Sequence, residues 1–128
     1  MWTFPDIEGL LIDYLAPVLG IPVGTKAPGT GTEFVKVLRT GGPRATPVSD
    51  RPLVTFEVYA TRGSRAVELA DKARNALHAL AGTWLGTWPV KEVTEAGGPG
   101  NLPDPVFPSL TRYQFTLAIH VRGRQDTP

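Results

Sequence analysis

Tyr113, Phe115, Leu117, Ile119 and Val121 alternate with Arg112, Gln114, Thr116 and His120. Successive side chains of a strand point to opposite faces, so this alternation marks a strand half buried in a sheet. It constrains the chain more than any other feature, because the sheet must cover one apolar face and carry one polar face. Leu53–Ala60 repeats the pattern, with Val54, Phe56 and Val58 on one face and Thr55, Glu57 and Tyr59 on the other.

Two amphipathic helices supply the cover. Ile7, Leu10, Leu11, Tyr14, Leu15 and Val18 follow helical spacing. Thr3-x-x-Asp6 resembles a capping box, and Pro17 predicts a kink or stop near Ala16. Ala66, Leu69, Ala70, Ala73, Ala76, Leu77 and Leu80 form the second stripe. Ser64 is its expected cap, and Gly82 suits the left-handed position that ends a helix. The remaining strand-like segments are Glu33–Arg39 and Trp88–Glu95, with Pro89 marking a strand start or an edge.

Gly and Pro together exceed the usual share, at 14 and 13 residues of 128. They concentrate at 20–32, 40–52 and 97–109, which read as loops, and 122–128 reads as a frayed polar tail. The expected architecture is a single α+β domain over 1–128, in the order α-β-β-α-β-β. It has a four-stranded, mostly antiparallel sheet, two helices packed on one face, and long hairpin loops.

Thirteen Lys+Arg against twelve Asp+Glu give +1, which argues against a dedicated binder of nucleic acid or an anionic membrane. There is no Cys, so disulfides and thiolate metal sites are excluded. No apolar run reaches membrane-spanning length, and Met1–Asp6 lacks the basic-then-apolar start of a signal peptide. The expectation is a soluble protein made in a cytoplasm.

Catalytic motifs are not found. Gly20–Lys26 lacks phosphate-loop spacing, and Gly29-Thr-Gly31-Thr precedes a strand where a dinucleotide site needs a helix. His78 and His120 fall on polar faces and read as solvated. Ser49, Ser64 and Ser109 occupy a loop, a helix cap and a strand start, and none sits in a nucleophile elbow. No catalytic, metal-binding or cofactor-binding residue is expected, and the chain reads as a non-enzyme.

Candidate interface residues are of two kinds. Arg39, Arg44, Arg51, Arg62 and Arg65 flank the ends of the expected hairpin. They are either a solvated loop surface or contacts to acids of a neighbouring subunit or to DNA. Trp84 and Trp88 follow the second helix and serve either an interface or a cap on the core.

The layout resembles the tail terminator (tail-completion) family of long-tailed bacteriophages, especially versions from phages of actinobacteria. The resemblance rests on three segments. They are Asp6–Leu15, the strand Pro52–Ala60 with the Ala-rich helix Ser64–Leu80, and the final stretch Pro103-Asp-Pro-Val-Phe-Pro-Ser-Leu-Thr-Arg-Tyr-Gln-Phe-Thr-Leu-Ala-Ile-His-Val-Arg122. Asp104 and Phe107, within that stretch, join the candidate interface residues, although turn geometry also explains Asp104. The resemblance implies a homo-oligomeric ring, commonly hexameric, that caps the tail tube and stops its growth. Its implied partners are the major tail tube protein and the neck or head–tail connector. Genomic DNA would pass through the lumen without specific binding, in a virion at the tube–neck junction. The loops 40–52 and 97–109 are the expected contacts. The alternatives are another connector or head-closure subunit and, from a different class, a nucleic-acid-binding regulator.

Overall fold

The computed structural model describes residues 1–125. In chain order the elements are β1 (Trp2–Thr3), α1 (Ile7–Leu19), β2 (Val23–Gly24), β3 (Phe34–Gly41), β4 (Arg44–Thr46) and β5 (Ser49–Asp50). Then follow β6 (Leu53–Ala60), α2 (Gly63–His78), β7 (Trp84–Leu85), β8 (Trp88–Asn101), β9 (Thr111–Arg122) and β10 (Arg124–Gln125). The expected four-stranded α+β sheet does not form. Among the described residues there are ten strands, eight in one sheet and two, β1 and β10, in another. The protein is mostly β, with two helices.

The extra strands come from segments expected to be loops. β3 and β6 pair from Phe34↔Tyr59 to Gly41↔Leu53, and β4 and β5 carry the same hairpin on to Thr46↔Ser49. Residues 40–52 are thus the outer half of one hairpin, closed by Pro47 and Val48. The glycines that suggested a loop sit at a bulge and a crossing. Gly42 has φ +94, and a Cβ there would lie 2.3 Å from the Arg51 carbonyl oxygen. β8 runs through Gly97–Asn101 with repeated register shifts, so only the second half of 97–109 is loop. Pro99 is tolerated because β8 is an edge beyond its short pairing with β7. Segment 20–32 contributes β2, parallel to the start of β3. In the expected tail, Arg122 ends β9 and β10 pairs with β1, while 126–128 lie outside the described residues.

The order β2-β3-β6-β9 is extended by β8 on the far side of β9. Val54, Phe56 and Val58 meet Phe115, Leu117 and Ile119 on the helix-covered face, with the Phe56 and Phe115 rings stacked at 5.0 Å. Ala66, Ala70 and Ala73 are buried on α2, and these small side chains let it approach the sheet closely. Leu11 and Leu15 of α1 are fully buried, and Tyr14 donates to the Ala76 carbonyl at 2.7 Å, tying the helices together. Burying each such leucine stabilises the fold by roughly 1.5–3 kcal/mol.

The helix ends differ from expectation. Asp6, and not Thr3, caps α1, accepting from the Gly9 amide at 3.2 Å. The helix runs through Pro17 to Leu19 and ends on Gly20 at φ +68. The Asp13 carbonyl, which Pro17 cannot serve, belongs to an exposed residue within reach of water. Arg62, and not Ser64, is the N-cap of α2 and makes no side-chain cap bond. Gly82 is left-handed at φ +76, but four residues past the helix end, where its amide donates to Val90 at 2.9 Å.

Gly42→Ala should destabilise the protein by about 2–3 kcal/mol, from the positive φ and the backbone contact together. Gly29→Ala, in open space, is the control. Urea midpoints read the difference, and equal midpoints for the two variants would refute the crossing as a tight point.

Candidate functional site

The register of β3, β6 and β9 builds rows on the face away from the helices. Phe34, Tyr59 and Arg112 form one row, Lys36, Glu57 and Gln114 the next, and Leu38, Thr55 and Thr116 the third. Phe34 and Tyr59 stack at 4.4 Å, and Phe107 meets both edge-on at 5.6 and 5.5 Å. Glu57 lies between Lys36 at 3.2 Å and Arg112 at 3.3 Å. The Tyr59 hydroxyl donates to Asp104 Oδ2 at 2.7 Å, while Asp104 Oδ1 accepts the Val106 amide at 3.0 Å. Arg112 Nε donates to the Leu102 carbonyl at 2.7 Å. Loop 102–110 is therefore fixed over the sheet by Asp104, Phe107 and Arg112, and it leaves Val106 76% exposed.

The charges follow the contacts. The Tyr59 hydroxyl, the Val106 amide and the nearby Arg112 hold the Asp104 carboxyl below its ordinary value. Burial and the bond to Asp104 push Tyr59 up. Burial alone would lower Lys36, but the contacts with Glu57 and Tyr59 outweigh it and raise it.

The opposite end holds the hairpin tip and the terminal strands. Arg39 pairs with Asp50 at 3.1 Å and donates to the Gly41 and Gly42 carbonyls, bracing the bulge. Its amide donates to Glu8 at 2.8 Å, which joins α1 to the strand. Arg44 lies 4.5 Å over the Phe4 ring, and Arg51 is exposed. Trp88 carries the Arg124 guanidinium at 3.8 Å. Beside it a cavity of about 370 Å³ opens between Phe4, Pro5, Leu10 and Trp88, with Asp6 and Asp13 at its wall. His120, expected to be solvated, is buried, with Nε2 3.0 Å from Ser49 Oγ. Burial, reinforced by Arg51 and Lys91, lowers its pKa, with Glu92 opposing.

Along α2, Arg65 grips Glu33 at 2.9 and 3.2 Å and Glu68 at 3.0 Å. Arg74 and His78 share Glu95, with His78 Nε2 at 3.2 Å, so His78 is also engaged. Burial alone would raise the Glu95 carboxyl, but these two partners outweigh it and lower it. Trp84 is 64% exposed. The sequence-selected arginines thus divide between two ends: Arg39, Arg44 and Arg51 at the hairpin tip, Arg62 and Arg65 beside the start of α2. Asp104 and Phe107 come together on Tyr59. Sequence reasoning missed Lys36, Glu57, Tyr59 and Arg112 as a group. Alternation had placed Glu57 and Tyr59 on one face, but their partners on β3 and β9 need the register. No group of three or more His, Cys, Asp or Glu side chains able to hold a metal ion is found among the described residues.

No protein-family model matches the chain, and no curated protein sequence matches it. Among solved structures, the fold is similar to a chain of one described as "Virion of native gene transfer agent (GTA) particle", with a TM-score of 0.64 and 14% identity. The match covers 85% of this chain and 84% of that one. At this identity the likeness is one of fold.

His120 gives a pH dependence of defined sign. Its folded pKa is depressed, so the unfolded chain takes up the proton first as pH falls through about 6.5. Stability should drop from there until the folded pKa is passed. His120→Gln should flatten that part of the urea-midpoint profile, and an unchanged slope would exclude His120 as its source.

Proposed function

We propose that this protein is a structural component of a phage-like virion and, more specifically, a tail terminator. In this reading copies of the chain form a ring, commonly of six, on the last turn of the tail tube. The ring ends tube growth and presents a surface to the neck connector, at the tube–neck junction. The role is non-enzymatic. The observation that carries the reading is the fold shared over 85% of the chain with a gene transfer agent virion chain. The segments resembling terminators support its finer part.

The geometry suits such work. A ring closes by head-to-tail contacts between different surfaces of the subunit. Loop 102–110 is a ready contact, because hydrogen bonds, the Arg112–Asp104 ion pair and edge-on ring contacts fix it before any partner arrives, so little ordering entropy opposes docking. It offers Leu102 and Val106, 46% and 76% exposed.

Two measurements test the proposal. Particles made without this gene should carry overlong tails in electron micrographs. Normal tails beside unjoined heads would instead assign the chain to the connector, and normal joined particles would overturn a virion role in tail completion. Leu102→Asp/Val106→Asp should keep the wild-type melting profile and lose the mass gain on tube protein in light scattering. An unchanged gain would remove loop 102–110 as the contact.

A further inference from the structure

Five cations of this chain are matched to acids: Lys36, Arg39, Arg65, Arg74 and Arg112. The other eight have no ion pair among the described residues; the fold gathers five of them, Arg44, Arg51, Lys91, Arg122 and Arg124, at one end of the sheet, and Lys26, Arg62 and Lys72 lie elsewhere. Val121 pairs with Asp50 on one side and Val90 on the other. Both pairings are antiparallel, so Arg51 and Lys91 flank His120 on the two sides of β9, and Arg122 lies two residues along β9 from it; all three are exposed. Arg51 and Lys91 both act on buried His120 between them. Three arginines are laid on rings: Arg44 on Phe4, Arg122 on Trp2 at 5.9 Å, and Arg124 on Trp88. The acids of this end are largely engaged. Asp50 serves Arg39, Asp6 caps α1, and Glu8 accepts the Arg39 amide, which leaves Glu92 and, at the cavity beside Trp88, Asp13.

We propose that this end of the protein binds the phosphate backbone of duplex DNA without regard to sequence. Arginine held over a ring keeps its in-plane N–H donors, which match phosphate oxygens, and the ring fixes it in advance. Among the described residues Arg44 and Arg122 keep theirs, while Arg124 spends Nη2 on Thr87. Three neighbouring strands span about 10 Å. Duplex DNA carries one charge per about 1.7 Å of axis, so a patch of this width faces several phosphates at once. An acidic protein partner is the weaker match. Protein interfaces deplete charge at their centre, whereas nucleic-acid interfaces are polar and positive throughout. The near-neutral net charge does not oppose the proposal, because the excess is local.

The test is fluorescence anisotropy of the full chain with a short duplex across a salt series. At about 50 mM salt the wild type should bind, with log K falling against log salt at a slope of about −3 to −4, since each neutralised phosphate contributes about −0.9. Arg51→Glu/Lys91→Glu/Arg122→Glu should lose at least about tenfold in affinity, and the slope should shrink by about 3. Lys26→Glu/Arg62→Glu/Lys72→Glu changes net charge equally at other elements and should lose less than about threefold, since it removes only long-range attraction. If the first triple fails to fold, the same three positions changed to Gln read the same slope. No wild-type binding, equal losses in the two triples, or equally tight binding of polyglutamate would overturn the proposal, the last in favour of an acidic protein. The inference stands apart from the terminator reading: tail length tests that one and DNA affinity tests this one.

Discussion

The pairing of β6 with β9 is the constraint from which the rest follows. Eight consecutive pairs, Leu53↔Ala118 to Ala60↔Thr111, fix which side chains face the helices. A slip of one residue would turn Phe56 and Leu117 outward and drive Glu57 and Thr55 into the apolar layer. β5 meets β9 in the same register, Asp50 on Val121, so Arg51 and Pro52 interrupt one strand without shifting it. The hairpin tip inherits its position from this, and with it the Arg39–Asp50 pair that braces the bulge.

The outer face shows how a polar sheet surface is covered without a second apolar layer. Glu57 is 9% exposed and bridges Lys36 and Arg112. Removing either cation would leave a nearly buried carboxylate undercompensated, which is more damaging than the pair is stabilising. The Thr55 and Thr116 hydroxyls meet at 2.8 Å, and Thr40 adds a contact to Thr55 at 3.2 Å. Polar groups on this face are satisfied across strands, and loop 102–110 is held by the same network. Its shape is then a property of the sheet.

How much could be read beforehand depended on how local the signal was. Leu53–Ala60 was legible to the residue because alternation is a property of the segment itself. The Ala-rich helix stripe was legible for the same reason. Segments 40–52 and 97–109 were not, because Gly41, Gly42 and Pro99 break propensity rules at a bulge, a crossing and a strand edge, which only the partner strand defines. His120 misled for a related reason. Its position on the polar face of β9 was read well, but Ser49, 71 residues earlier, covers it. In the candidate sites, Asp104 and Phe107 were named while the residue they meet, Tyr59, was taken only as part of a strand face.

The two ends of the sheet differ in chemistry, and the difference is built by the same strands. At one end β6 stops at Ala60 and the chain turns into α2 with no side-chain cap, while loop 102–110 folds over Tyr59 and presents apolar atoms. At the other end β9 runs past β6 to Arg122, so its last residues are flanked by β5 and β8 alone, and cations stand on β8, on β9 and just after β5. A surface of cations is a poor complement for its own copy across a two-fold axis, where like charge would meet like. The apolar loop is the end suited to another protein surface, and the cationic end is the one left open to an anion.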